Sequence, residues 1–122
     1  MQISVTGRHM QITDAIRDHA LNTVQHGLRE FPRILNVHVI LDVEKYRHIA
    51  EIVVQAPNHI VVEAQHESND MYVSVDGAVE KAAKQLRKLW DKMQDHKSRE
   101  SLANLELEKQ QEEKNRGTSS GG

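Results

Sequence analysis

Leu35-Asn36-Val37-His38-Val39-Ile40-Leu41-Asp42-Val43-Glu44 is the stretch that decides how this chain folds. Leu35, Val37, Val39, Leu41 and Val43 take every second position, and Asn36, His38, Asp42 and Glu44 stand mostly between them. A period of two sends successive side chains to opposite faces of an extended strand, so one face is buried and the other is wetter. Beyond it, Lys45-Tyr46-Arg47 reads as a turn, and a third strand puts Ala50, Ile52, Val54 and Ala56 on one face. Pro57-Asn58 breaks that strand, and a fourth places Ile60, Val62 and Ala64 inward. Connections this short favour an antiparallel meander of the three strands.

Upstream, Gln2-Ile3-Ser4-Val5-Thr6 alternates in the same way and reads as a short strand ended by Gly7. Thr13 is a plausible N-cap, with Asp14 in the first turn where the helix dipole favours an acid. Ile16, Ala20, Val24 and Leu28 then recur every four residues, which gives a helix over about 14–30 that Phe31-Pro32 closes. Downstream, Ser68, Asn69 and Asp70 are cap candidates for a second helix over roughly 70–95. Its apolar positions, from Met71, Val75, Ala78 and Val79 through Ala82 and Leu86 to Leu89 and Met93, fall within an arc of roughly 120°. The order is β-α-β-β-β-α. This is an α+β fold, with two helices packed on one face of a four-stranded mixed sheet. If the first strand runs parallel to the second, the helix between them is the expected crossover.

The 122 residues suffice for one compact domain, expected over 1–96, and a flexible tail over 97–122 that is poor in large apolar residues and ends in Gly and Ser. Aromatic content is only 3%, so the core must be built from Val, Ile, Leu and Ala. The absence of cysteine excludes a disulfide framework, a thiolate metal site and cysteine catalysis. No stretch reads as a signal peptide or a membrane span, so the expected location is the cytoplasm, with no membrane partner. His9, His19, His26, His38, His48, His59, His66 and His96 are scattered without the spacing of a metal site. No phosphate-binding loop, nucleophile elbow or dinucleotide fingerprint is present. The expectation is a non-enzyme without metal, cofactor or small-molecule substrate.

A formal net charge of −2 argues against a generic nucleic-acid binder. A polyanion feels the local patch, however, and the charge is unevenly placed. Lys81, Lys84, Arg87, Lys88 and Lys92 stand close together against the single acid Asp91. With Lys81 at zero on a helical wheel, Lys84, Lys88 and Lys92 fall at about −60°, −20° and +20°, with Arg87 slightly outside. The centre of this stripe lies about 130° from that of the apolar arc, so it points away from the core. A rigid row of amines can follow phosphates. It can equally be an ordinary solvated face, partly paired with Glu80 or Asp91. Trp90, at the edge of the apolar arc, fits core packing or stacking on a base. On the first helix His19, Asn22, His26 and Arg29 project from the polar side, either as part of a shared basic surface or as ordinary exposed groups.

The run from Asp70-Met71-Tyr72 through Val75-Asp76 into Lys81, Lys84, Arg87 and Lys88 resembles the second-helix signature of the ribosome hibernation promoting factor family, which includes the ribosome-associated inhibitor. Gln2 to Gly7 followed by Ile12-Thr13-Asp14-Ala15-Ile16-Arg17, and Phe31-Pro32-Arg33 leading into Val37 to Lys45, look like its first strand, first helix and second strand. The resemblance covers residues 1 to about 95. It implies a fold similar to double-stranded RNA-binding domains. It implies binding to the small ribosomal subunit, and hence to whole ribosomes, on 16S-type rRNA between head and body. There a member blocks translation under stress by occluding messenger RNA and the A- and P-site transfer RNAs. Carried over to this chain, the RNA-binding residues are Lys81, Lys84, Lys88 and Lys92, with Arg87 an added charge and His26 and Arg29 a weaker contribution from the first helix. Some members have lysines on that helix where this chain has Thr23 and His26, which leaves that half of the contact open. Residues 97–122 are too few for the dimerisation domain of long members, so a monomer is expected off the ribosome. Two alternatives stay open: a modulator of sigma-54 transcription, an old label of the family, and a generic double-stranded RNA binder.

Overall fold

The computed structural model describes residues 1–106, with side chains through Lys92. Its elements follow the expected order: β1 (Gln2–Arg8), α1 (Asp14–Gly27), β2 (Asn36–Glu44), β3 (Arg47–Ala56), β4 (Ile60–Ser68) and α2 (Met71–Glu106). Residues Met1–Arg87 form one compact unit, and those from Lys88 onward belong to a second.

The strands lie in the order β1-β2-β3-β4. β1 runs parallel to β2, and β2, β3 and β4 form the antiparallel meander. Register aligns the apolar alternation of every strand: Val5 stands beside Val39, Val39 opposite Ile52, and Ile52 opposite Ala64. The neighbouring row is Ile3, Val37, Val54 and Val62. These rows make the inner face, on which Val37, Val39, Ile52, Val54, Val62 and Ala64 are all buried. A one-residue slip would turn every one of them to solvent, so the alternation fixes which face each strand buries, and the short turns fix the rest of the register.

Both helices dock apolar stripes on that face. Thr13 caps α1 by accepting from the Ile16 amide at 3.2 Å, and Ile16, Ala20 and Val24 are buried. At α2, Asp70 accepts from the Tyr72 amide at 2.9 Å, and Met71, Val75, Ala78, Val79, Ala82 and Leu86 fill the core. Ser74 is also fully buried; its hydroxyl donates to the His48 carbonyl and contacts the Ser68 hydroxyl, each at 2.6 Å. The helices approach closely where Gly27 of α1 meets Val79 of α2, because a Cβ on Gly27 would lie 2.5 Å from Val79 Cγ1.

Several boundaries differ from the sequence reading. β1 continues through Gly7 to Arg8, and Gly7 is needed because a Cβ there would lie 2.6 Å from the Met10 carbonyl oxygen. α1 ends at Gly27 rather than near 30; Leu28 caps it through its amide to Val24, and the Phe31 amide then turns back to the Leu28 carbonyl. Leu35 is 54% exposed, and Ile34 fills the core in its place. Asp42, expected on the wetter face, is 6% exposed, and its Oδ1 lies 3.0 Å from His9 Nδ1. α2 passes its expected end near 95 and reaches Glu106. The rest of the expected tail, from 107 onward, lies outside the described residues.

Candidate nucleic-acid interface

α2 alternates its chemistry by angle around the axis. Ala82, Ala83 and Leu86 are buried, whereas Lys81, Lys84, Arg87, Lys88, Asp91 and Lys92 are exposed. The basic side chains differ in what holds them. Lys81 leans towards the sheet edge and donates from Nζ to the Gln65 carbonyl of β4 at 2.9 Å. One turn on, Gln85 donates to the Glu63 carbonyl at 3.1 Å. These two contacts occupy carbonyls on the free edge of β4 and so blunt a strand that would otherwise invite pairing. A carbonyl takes up one donor of the Lys81 ammonium but leaves its charge uncompensated.

Arg87 points the other way, towards the segment after α1, and pairs with Glu30 at 2.6 Å. Both side chains are about half exposed, so water screens the pair and a phosphate can compete for the guanidinium at little cost. Lys84, Lys88 and Lys92 form no ion pair or hydrogen bond among the described residues. Lys84 belongs to the first compact unit; Lys88 and Lys92 follow on the same helix in the second. Trp90 is half-buried.

On the first helix side, His26 is exposed and donates from Nδ1 to the Asn22 carbonyl at 2.9 Å, and Arg29 is exposed just beyond the end of α1. His19 is tied down more firmly. Its Nε2 lies 2.8 Å from Asp76 Oδ1 on α2, and the Thr23 hydroxyl donates to the same oxygen at 3.4 Å. The His19 ring also meets the Tyr72 ring edge-on, with centroids 4.9 Å apart. The sequence reading placed His19 on the polar side of α1 but missed this junction. The four-residue spacing of His19 and Thr23 was its one visible signal, since it puts both on the same helix face.

The outer face of the sheet carries the opposite charge balance. Glu44, Glu51, Glu63 and Glu67 are there, with Arg8 and Arg47. Arg47 grips Glu67 through two bonds of 2.7 and 2.8 Å and Glu44 through one of 3.0 Å. The Arg47 bonds hold the Glu67 carboxyl below the usual carboxylate range, and Glu67 in turn raises the guanidinium. An acidic sheet face behind a basic helix reconciles the net charge of −2 with a cationic surface. Among the described residues no three acidic or histidine side chains gather as metal ligands, and no helix is long and apolar enough to cross a membrane.

A sheet with two helices on one side and exposed amines along the second helix is an arrangement that suits a polyanionic partner. Residues 3–94 match the family described as Sigma 54 modulation protein / S30EA ribosomal protein, and the chain belongs to that family. It is 36% identical over 95 residues to the ribosome hibernation promoting factor of Pseudomonas putida, covering 77% of this chain and 91% of that protein. It is 35% identical to the factor of the same name from Escherichia coli K12, covering 79% of this chain and all of that protein. Among solved structures it is similar to a ribosomal subunit interface protein from Coxiella burnetii, with TM-score 0.70 and 31% identity over 75% of this chain and 99% of that one. The N-terminal domain of Thermus thermophilus Protein Y gives TM-score 0.67 and 31% identity over 73% of this chain and 99% of that one. The family is one of ribosome-binding proteins and not of enzymes.

Proposed function

We propose that this protein is a ribosome hibernation factor that binds the small subunit at the decoding region and blocks translation by occupying the paths of messenger RNA and of A- and P-site transfer RNA. The observation that carries the reading is that Lys84 is exposed and has no ion pair or hydrogen bond among the described residues, on a helix docked by its opposite face to the core. Lys81 and Arg87 flank Lys84, Arg29 and His26 add groups from the α1 side, and Lys88 and Lys92, exposed in the second unit, supply further amines. Amines fixed to a helix lose little further freedom when they meet phosphates, and each contact releases counterions. Relatives named ribosome hibernation promoting factor, matched along nearly their whole length, support the same conclusion. The protein acts in the cytoplasm, as a monomer when off the ribosome, and needs no cofactor. Residues 1–96 carry the binding activity, and the family match over 3–94 falls within them.

Sucrose-gradient sedimentation of a stationary-phase extract tests this. The protein is expected with small subunits and whole ribosomes at low salt and at the top of the gradient at high salt. Migration with RNA polymerase would instead support the sigma-54 reading, and binding to free RNA duplexes as tight as to ribosomes would support a generic duplex binder. Either result overturns the proposal.

A further inference from the structure

A groove of about 630 Å³ opens between α1 and α2. Its floor is apolar, with Val79 and Ala83 beside the close approach at Gly27. Its rim is polar and acidic: Asn22, His19 and Thr23 on α1 face Asp76 and Glu80 on α2. The volume is in the range of small-molecule sites, roughly 300–1,000 Å³, and an apolar floor with a few directed polar groups is how such sites hold a flat ligand.

Asp76 is held in a fixed pose. His19 Nε2 and Thr23 Oγ1 both bond to Oδ1, at 2.8 and 3.4 Å, and Oδ2 has no hydrogen-bond partner among the described residues. Two donors from α1 thus orient one carboxylate on α2 and leave its second oxygen to accept. Glu80, one turn on along the same rim, adds a second acceptor. Tyr72, 43% exposed and packed edge-on against His19, places an aromatic ring next to the cluster. Carboxylates on a surface that binds phosphates are a liability unless they read something, because they repel the backbone wherever they are not matched by a donor.

We propose that this groove is a nucleobase pocket that takes one unpaired guanine of the RNA held by the cationic helix. The inference rests on the ribosomal reading above and names the base recognised beside the phosphate contacts. Ionised carboxylates only accept hydrogen bonds. Guanine alone among the four bases presents two adjacent donors on its pairing edge, N1–H and the 2-amino group. Adenine and cytosine set a ring-nitrogen acceptor beside their amino group, and uracil flanks its single N–H with two carbonyls. Each of these would bring lone pairs against Asp76 or Glu80. The base enters edge first, its plane against the apolar floor, as unpaired bases are read in single-stranded RNA.

The test uses the full chain and a short uridine-rich single-stranded RNA with one central guanine, compared by fluorescence anisotropy at low salt with the same strand carrying inosine. Inosine lacks only the 2-amino group. The guanine strand is expected to bind about five- to tenfold more tightly, as loss of one hydrogen bond on a solvent-exposed rim implies. In Asp76→Asn the Oδ1 atom keeps its partners and an amide NH₂ faces the groove, so the preference is expected to vanish while the salt dependence persists. Should that variant fail to fold, the same ratio in Glu80→Gln decides. A wild-type ratio below about twofold, no binding of the guanine strand, or a preference unaltered in a folded variant overturns the pocket. If the pocket fails while the protein still sediments with ribosomes in a salt-dependent way, the ribosomal reading stands. If ribosome sedimentation fails, that reading falls as well.

Discussion

Gly27→Ala offers a sharp test of how the two helices are brought together. Gly27 closes α1, and an added Cβ would lie 2.5 Å from Cγ1 of Val79, well inside contact distance. Val79 is 3% exposed, and its β-branched side chain is stiff, so the methyl has no easy escape. Overpacking of this kind costs about 1–3 kcal/mol. Alanine is the better helix former by about 0.5–1 kcal/mol, which offsets part of that. The expected net loss is about 1–2 kcal/mol, read by urea unfolding followed by circular dichroism. Val79→Ala removes the obstructing methyl, while Val79 Cβ stays at a comfortable 3.9 Å. That change alone costs about 1–3 kcal/mol for the space it leaves, but in its background Gly27→Ala should turn neutral or stabilising by up to about 0.5 kcal/mol. The two sites should therefore couple by about 1–2 kcal/mol in a double-mutant cycle. An equal cost for Gly27→Ala in both backgrounds would refute the steric account of the helix crossing.

Ser74→Ala should destabilise the fold by about 1–3 kcal/mol in the same assay, because it strips a buried donor from the His48 carbonyl and a partner from Ser68. Thr13→Ala should cost about 1 kcal/mol through loss of the α1 cap, with Thr13→Ser close to neutral. For Glu67 the folded carboxyl titrates below its ordinary value of 4.5, so the Arg47 pair contributes fully above that value and is lost as pH falls through the lower folded one. Glu67→Gln should therefore be less stable than the parent at neutral pH and converge with it on acidification below about pH 4, as pH-resolved thermal melts would show.

How much of this was legible beforehand depends on whether one period or two had to be read. The meander was open to inspection because Val37, Val39 and Leu41, then Ala50, Ile52, Val54 and Ala56, repeat with the parity of a single buried face. Parity misled at Leu35, which precedes β2, where the turn after Pro32 gives Ile34 the core position. α1 stops short of Phe31-Pro32, closing at Gly27 where the Leu28 amide bonds to the Val24 carbonyl, and the need for glycine there comes from Val79, which no window on α1 contains. The direction of the lysine stripe followed from angle alone, but what each amine meets did not. Lys81 reaches β4 and Arg87 reaches Glu30 because of where the sheet edge and the segment after α1 lie, and a helical wheel carries neither. The His19–Thr23–Asp76 junction escaped for the same reason: its partners are more than fifty residues apart.

A salt titration of ribosome co-sedimentation measures whether the outward amines on α2 hold ribosomal RNA by its phosphates, as proposed. Each phosphate contact contributes about −0.7 to −0.9 to the slope of log affinity against log salt. Lys84→Glu with Lys88→Glu should weaken binding at low salt and make the slope shallower by about 1.4–1.8. The melting temperature should stay nearly unchanged, because both side chains are exposed. Parent-like affinity and slope in this double variant, or a large fall in its melting temperature, would contradict the account.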